Sequence, residues 1–318
     1  MVPPRIVLFT GKGGAGKTTC AAAFALAWAR RGRPAMLASL DPAHNLGDVL
    51  GLELGPEARE VLPGLRAMEA DLDAEERGHV NRAKELVRRR YRYLTVASME
   101  PIIELLGDAP GQPEQAAVEV MMKLADGTDQ TDETLVVDLP PSGQAWRILA
   151  FPTLMERWCK SLEKLRGRIL DRRKTLNHLL GDDSPARAPN HGKTTPEKLT
   201  SVRDADPVTG TLRSFIRRHG ALARTLKDPE KAWIVGVALP DTLAIRETRR
   251  LKDRLGANGM RLTALLLNRA GPGSKMPNDL RPDVIFPDLG HGPRGPAELA
   301  DWDELMGVLI DGPSTLKQ

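Results

Sequence analysis

Short runs of consecutive apolar residues recur along the chain and are separated by longer stretches of helical composition. Such runs, which lack the polar alternation of a half-exposed strand, are typical of strands buried on both faces of a parallel sheet. They predict strands at 5–10, 34–40, 134–138, 233–239 and 262–267 and a shorter strand at 284–288, while an alternating pattern predicts a short strand at 65–71. Because helices lie between these strands, we expect a doubly wound α/β fold with a mostly parallel sheet.

Two helical segments interrupt this alternation, and we interpret them as insertions into a single domain that spans 1–318. The first covers about 73–128 and includes a basic run at 82–92, which fits a solvated helix face, an anionic membrane surface or an acidic partner. The second covers about 152–228. Its residues 181–207 are rich in Asp, Pro, Gly, Ser and Thr, a composition that predicts a mobile loop.

The start of the second insertion predicts an amphipathic helix. Apolar residues recur there at spacings of three and four, which places them in one stripe along a helix: Leu154, Met155, Trp158, Leu162, Leu165 and Ile169. Residues 157–174 also contain eight Lys or Arg and two acidic residues. The simplest interpretation is a helix that packs its stripe on its own domain and turns a basic face outward.

The first strand leads into a glycine-rich loop, Gly11-Lys12-Gly13-Gly14-Ala15-Gly16-Lys17-Thr18. The loop matches the P-loop pattern G-x-x-x-x-G-K-[ST], and an Ala-rich helix is predicted after it at 18–31. In such a loop backbone N–H groups and a helix N-terminus bind phosphate, the lysine neutralises the β- and γ-phosphates, and the hydroxyl binds Mg²⁺. The sequence therefore predicts a nucleoside triphosphate site that consists of Gly11, Gly13, Gly14, Ala15, Gly16, Lys17, Thr18 and Thr19.

Carboxylates follow two of the predicted buried strands, where Asp41 and Asp138 stand at the carboxyl ends. Ligands bind at this edge of an open α/β sheet, so both carboxylates are candidates to hold Mg²⁺ through water. Asp48 lies seven residues after Asp41 in a Gly-containing loop, and we expect it to orient a water molecule on the γ-phosphate side. The alternative is that Asp41 stabilises an Asp-Pro turn and Asp48 caps the next helix.

Two segments carry a family resemblance: the loop form K-G-G-x-G-K-T, with Lys12 after its first glycine, and D-P-A-H-N-L-G-D at 41–48. The chain resembles the arsenite-pump-driving and tail-anchored-protein-targeting ATPases, which are deviant P-loop ATPases. The resemblance implies that Asp48 positions the attacking water and that Lys12 reaches across a dimer to the partner's nucleotide. A solvated surface lysine stays the alternative for Lys12. The family's switch I is matched further at Pro42, His44 and Asn45.

A second switch and the adenine contacts also follow from the resemblance. Residues 138–147 keep the aspartate, one proline, a hydroxyl, the glycine and the arginine of the family's switch II, but depart from it at Leu139, Pro140 and Gln144. We expect these changes to leave nucleotide binding intact and to alter how switch II responds to hydrolysis. The family's adenine-contacting asparagine corresponds to Asn268, for which a turn-forming role is the alternative. Pro287 falls in the segment that resembles the adenine loop.

Composition, charge and cysteine content narrow the choice of classes. The 318 residues carry a net charge of +4 and contain no signal-like segment or apolar run of about 18 residues, so we expect a cytoplasmic protein, with peripheral membrane association as an option. The two cysteines, Cys20 and Cys159, are too few for a disulfide framework or for the family's three-cysteine metalloid cluster. No cysteine lies between 268 and 288, so the zinc clasp of some targeting factors is not expected.

These features together predict a Mg²⁺-dependent ATPase that binds ATP and ADP and works as a homodimer or a paralogue heterodimer. In the targeting factors that the chain resembles, the second insertion helps form a groove for a client's membrane helix, so a membrane-protein client or a membrane pump subunit is the expected partner. Two other classes stay open. A partition-type positioning ATPase would bind DNA non-specifically, although the sequence of 41–48 disfavours a nucleic acid partner. A regulatory or scaffold paralogue would hold ATP and hardly hydrolyse it.

Overall fold

A mostly parallel sheet organises the protein, whose structure is a computed structural model that describes residues 3–43, 45–90, 111–180, 207–271, 274, 276–288 and 295–311. Within these residues eight strands form one sheet in the order β3-β4-β2-β5-β1-β6-β7-β8. The strands are β1 Ile6–Gly11, β2 Ala35–Ser39, β3 Arg59–Leu62, β4 Leu65–Glu69, β5 Thr134–Asp138, β6 Ala232–Ala238, β7 Ala264–Ala270 and β8 Val284–Pro287. All neighbours are parallel except β3 and β4, which are antiparallel. The predicted α/β fold is confirmed.

The connections between the strands are mainly helical. In the described part of the chain the helices are α1 Lys17–Arg30, α2 Leu46–Leu50, α3 Leu72–Arg90, α4 Gln112–Thr131, α5 Ser142–Leu180, α6 Pro207–Lys227, α7 Thr242–Ala257, α8 Gly295–Leu299 and α9 Asp303–Ile310. Short 3₁₀ turns lie at Asn278–Leu280 and Ala300–Trp302. Parallel strands need such crossovers, which is why strand and helix alternate in the sequence.

Helix α1 lies at the centre of the hydrophobic core, and its residues 20–29 are all buried. Phe24 lies between Phe9 of β1 and Trp28, with ring centroids 5.6 and 5.3 Å away. Trp28 in turn meets Trp233 of β6 edge-on at 6.3 Å. A helix buried on every face needs apolar residues all round, which explains why α1 is alanine-rich and has no polar stripe. These contacts fix the helix that follows the glycine-rich loop.

Three elements differ from the sequence prediction. The pattern does not predict β3, because this short edge strand begins with exposed residues and has no apolar run. Strand β7 begins at Ala264 and ends at Ala270, two or three residues later than predicted at each end. Helix α5 begins at Ser142 and continues through Pro152, where a proline would ordinarily interrupt a helix.

The chain divides into two compact units, Met1–Phe151 with Thr225–Gln318, and Pro152–Arg224. The first contains the sheet, and α3 packs against α4 in it. In the second, the described residues belong to α5 and α6. Several predicted segments fall outside the described residues: His44 of switch I, residues 91–110 of the first insertion, 181–206 of the loop in the second insertion, and 289–294 of the adenine loop.

Candidate nucleotide-binding site

Strand β1 delivers the P-loop from the middle of the sheet, where it is buried along its whole length and pairs with β5 and β6. A Cβ atom on Gly11, its last residue, would lie 2.1 Å from the carbonyl oxygen of Val237. Gly14 and Gly16 have φ angles of +76° and +87°, a left-handed conformation that glycine adopts readily. Gly16 is the N-cap of α1 and makes no side-chain cap, so the first N–H groups of α1 are left for an anion.

Lys17, the first residue of α1, lies beside a carboxylate. Its side chain is only 5% exposed, and its Nζ lies 3.9 Å from Oδ2 of Asp41, which follows β2. The other oxygen of Asp41 accepts a hydrogen bond from the backbone N–H of Ala43 at 3.1 Å. Asp41 therefore makes the local turn that the alternative interpretation expects, and it also faces the P-loop lysine.

Asp138 lies between two hydroxyl groups at the end of β5. Its Oδ2 accepts hydrogen bonds from Oγ1 of Thr18 at 2.7 Å and from Oγ of Ser39 at 3.3 Å. Burial raises the pKa of this carboxyl to about 6; the Thr18 hydrogen bond and the charge of Lys17 oppose the rise, and nearby Asp41 adds to it. The second oxygen, Oδ1, is buried and has no hydrogen-bond partner among the described residues.

These groups fit Mg²⁺ in the way that phosphate-binding proteins hold it. Mg²⁺ is commonly bound through one or two carboxylates together with substrate phosphates and water, not by a cage of protein ligands. Among the described residues no group of three or more His, Cys, Asp or Glu side chains could form such a cage. The partnerless Oδ1 of Asp138, next to the Thr18 hydroxyl, is a buried acceptor that a Mg²⁺-bound water would satisfy.

Lys12 pairs with a residue of its own chain. Its Nζ lies 3.8 Å from Oδ1 of Asp241, and both side chains are partly exposed. Asp241 is the N-cap of α7 and accepts a hydrogen bond from the N–H of Ala244 at 2.8 Å. The sequence contains a signal for this cap, an aspartate just before a helical stretch, but none for its pairing with Lys12.

Asp48 lies in the first turn of α2 and is exposed. Asn45, not Asp48, is the N-cap of this helix, so the capping alternative for Asp48 is wrong. Within the described residues, no hydrogen bond or ion pair joins Asp48 to Lys17 or Asp138. Its catalytic role stays a prediction.

Asn268 is buried against the P-loop, with 5% of it exposed. Its Nδ2 donates a hydrogen bond to the carbonyl oxygen of Ala15 at 2.9 Å, and its Oδ1 accepts one from the N–H of Arg269 at 2.9 Å. The side chain therefore connects β7 to the loop, a contact that the sequence reasoning missed. Pro287 is the last residue of β8 and is exposed. Adenine contacts by both residues stay predictions.

None of the described helices has the length and apolar character needed to cross a membrane.

Comparison with known proteins agrees with this site. The family model described as anion-transporting ATPase matches residues 4–279. A protein of Aquifex aeolicus provisionally named arsenical pump-driving ATPase 2 is 27% identical over 268 residues, which are 84% of this chain and 81% of the relative. ATPase get3 of Botryotinia fuckeliana is 29% identical over 83% of this chain and 72% of its own length. ATPase ASNA1 homolog 1 of Paramecium tetraurelia is 24% identical over 87% and 74%. The chain belongs to the anion-transporting ATPase family, and it is an ATP hydrolase.

Proposed function

We propose that this ATPase depends on Mg²⁺, dimerises around nucleotide and couples its ATP state to a helical surface that binds a partner. The observation that carries the proposal is the convergence of Lys17, Thr18, Asp41 and Asp138 at the carboxyl edge of the sheet. Three strand ends meet there because β1, β2 and β5 are parallel neighbours.

Each of these side chains has a role in hydrolysis. Lys17 neutralises the β- and γ-phosphates, while the hydroxyl of Thr18 and the carboxylates of Asp41 and Asp138 would hold Mg²⁺. When bound, Mg²⁺ supplies positive charge against the oxygens of the transferring phosphoryl group. Asp48 orients the water that attacks the γ-phosphorus in line with the breaking bond.

Dimerisation completes the site through Lys12. Its side chain is 30% exposed, so a second subunit can reach it, and Lys12 would then contact the nucleotide of that subunit. Such a transfer requires Lys12 to leave Asp241 of its own chain. The second subunit is another copy of this chain or a paralogue, because either would provide the same P-loop lysine.

An exposed apolar stripe supports the partner-binding part of the proposal. Leu154, Trp158, Leu165 and Ile169 of α5 are between 46% and 61% exposed. A contiguous patch of exposed apolar side chains, unlike single scattered ones, is typical of an interaction site. Helix α5 begins at Ser142, just after switch II, and continues into the unit that carries the stripe. We propose a membrane helix of a client or a pump subunit as the partner of a cytoplasmic, peripherally associated ATPase.

The altered switch II favours a second candidate, a regulatory or scaffold paralogue that holds ATP and turns it over slowly. Leu139, one of the departures from the family's switch II, is fully buried and donates its backbone N–H to the carbonyl of Phe9 at 3.0 Å. A side chain packed into the core is less free to respond to loss of the γ-phosphate.

The proposal is tested by phosphate release from purified protein with Mg²⁺ and with a chelator. We expect Mg²⁺-dependent release by the unaltered chain and by Asp126→Asn, a control at an exposed aspartate of α4. Asp48→Asn should bind ATP and release phosphate very slowly. Normal turnover by Asp48→Asn would contradict the role given to Asp48, and equal rates without Mg²⁺ would contradict the metal site. Unaltered protein as slow as Asp48→Asn would favour the paralogue.

A further inference from the structure

Glu69 is a buried carboxylate beside the segment that carries Asp48. It is the last residue of β4 and is 7% exposed. Strand β4 is a parallel neighbour of β2, with Glu69 in register with Ser39, whose hydroxyl bonds Asp138. Glu69 therefore stands at the same carboxyl edge of the sheet as the candidate site.

The carboxylate of Glu69 holds the beginning of α2. Its Oε1 accepts a hydrogen bond from the backbone N–H of Gly47 at 2.9 Å, across 22 positions of sequence. The N-cap residue of α2, Asn45, makes no side-chain cap, so Glu69 provides an acceptor that a capping side chain would normally supply. The acceptor satisfies one of the backbone N–H groups that the first turn of a helix leaves without an intrahelical partner.

Glu69 also holds the chain beyond α2, because its own backbone N–H donates to the carbonyl of Gly55 at 2.9 Å. Between these two points the segment is closed on itself by the hydrogen bond from the N–H of Leu52 to the carbonyl of Gly47 at 3.0 Å. A Cβ atom on Gly47 would lie 2.7 Å from the carbonyl oxygen of Leu52, so the closure requires glycine. Buried Leu46 and Leu50 fix the inner face of α2.

We infer that Glu69 is a positioning residue for ATP hydrolysis, which it supports by fixing the amide of Gly47 and hence the direction of the next side chain, Asp48. The inference rests on the proposed role of Asp48 in orienting water. Glu69 itself contacts neither nucleotide nor water in this scheme. A displacement of about 1 Å at a reacting group is enough to cost roughly 100-fold in rate, so a loosened α2 should slow turnover without weakening nucleotide binding.

The test compares steady-state turnover of three substitutions at one position. Glu69→Ala removes the acceptor and should lower kcat roughly 10- to 100-fold while the Kd for ATP changes less than about threefold. Glu69→Gln keeps an oxygen at the same distance from Gly47 and should restore most of kcat. If Glu69→Ala does not fold, Glu69→Asp, whose shorter side chain withdraws the carboxylate, replaces it and should lower kcat in the same way. A normal kcat in the folded variant overturns the inference.

A double variant separates positioning from mere stabilisation. Because Glu69 acts through Asp48, adding Glu69→Ala to Asp48→Asn should not reduce the residual rate further; a further drop of tenfold or more would overturn the inference. Glu133→Ala is the matched control. Glu133 is a largely buried carboxylate that pairs with Arg66 of β4, the strand that ends at Glu69. This variant should leave kcat unchanged.

Turnover of the two single variants distinguishes a failure of the proposed function from a failure of the role of Glu69. Normal turnover by Asp48→Asn removes the proposed function on which the inference rests. Slow turnover by Asp48→Asn together with normal turnover by Glu69→Ala leaves the proposed function intact and overturns only the role of Glu69.

Discussion

Replacing Asn268 with alanine removes the side chain that connects β7 to the P-loop. The lost hydrogen bond joins Nδ2 to the carbonyl oxygen of Ala15, a residue that is fully buried. A net hydrogen bond contributes about 0.5–1.5 kcal/mol, and removing the donor of a buried carbonyl raises the cost to about 1–3 kcal/mol. We therefore expect Asn268→Ala to lower the free energy of unfolding by about 1–3 kcal/mol.

The assay is urea unfolding followed by tryptophan fluorescence, because Trp28 of the P-loop helix α1 and Trp233 of β6 lie buried in the core. Asn258→Ala is the matched control. Asn258 also donates its Nδ2 to a backbone carbonyl, that of Arg254 at 2.9 Å, but at an exposed helix end. The control should change the free energy of unfolding by less than about 0.5 kcal/mol. Equal stability of the two variants would refute the argument for Asn268.

The same variant separates two roles for Asn268 in ligand binding. A side chain that only holds the P-loop should affect inorganic tripolyphosphate and ATP to the same extent. A side chain that also contacts adenine should weaken ATP binding more than tripolyphosphate binding. Calorimetric titration of both ligands measures the difference.

Three further substitutions test the site. Gly11→Ala places a Cβ atom against the carbonyl of Val237 in the central strand pair and should lower the free energy of unfolding by about 1–3 kcal/mol; an unchanged urea midpoint would show that the sheet adapts. Lys17→Ala should abolish measurable ATP binding in calorimetry while the circular dichroism spectrum stays native, and retained affinity would remove the lysine from the site. Asp241→Asn keeps the helix cap but weakens the hold on Lys12, so ATP should drive dimerisation at lower protein concentration; a dimerisation curve that does not move would refute the pairing as a restraint.

Much of the fold could be predicted because local sequence patterns specify its strands and turns. The buried run before Gly11 and the glycines after it specify a strand and a turn, and the positive φ angles of Gly14 and Gly16 agree with that pattern. Asp41 and Asp138 were predictable as site candidates because each follows an apolar run, and parallel strands bring such ends together.

The contacts missed by the sequence reasoning join residues that are distant in the chain. Asn268 meets Ala15 across 253 positions, and Lys12 meets Asp241 through a pairing that no local pattern encodes. Glu69 has the sequence context of an ordinary strand end, and its role emerges only from the bond to Gly47. Strand β3 was missed for a different reason, since an exposed edge strand lacks the apolar run that marks the others.

We expect ATP to drive two chains together around a site to which Lys12 contributes. Sedimentation velocity of Asp48→Asn tests it directly, because this variant should bind ATP and hydrolyse it too slowly to return to the ADP state. We predict a dimer with Mg²⁺ and ATP, a monomer with ADP or without nucleotide, and a much weaker ATP-dependent dimer when Lys12→Ala is added. A monomer under all these conditions, or a dimer that forms regardless of nucleotide and of Lys12, would contradict ATP-driven dimerisation through Lys12.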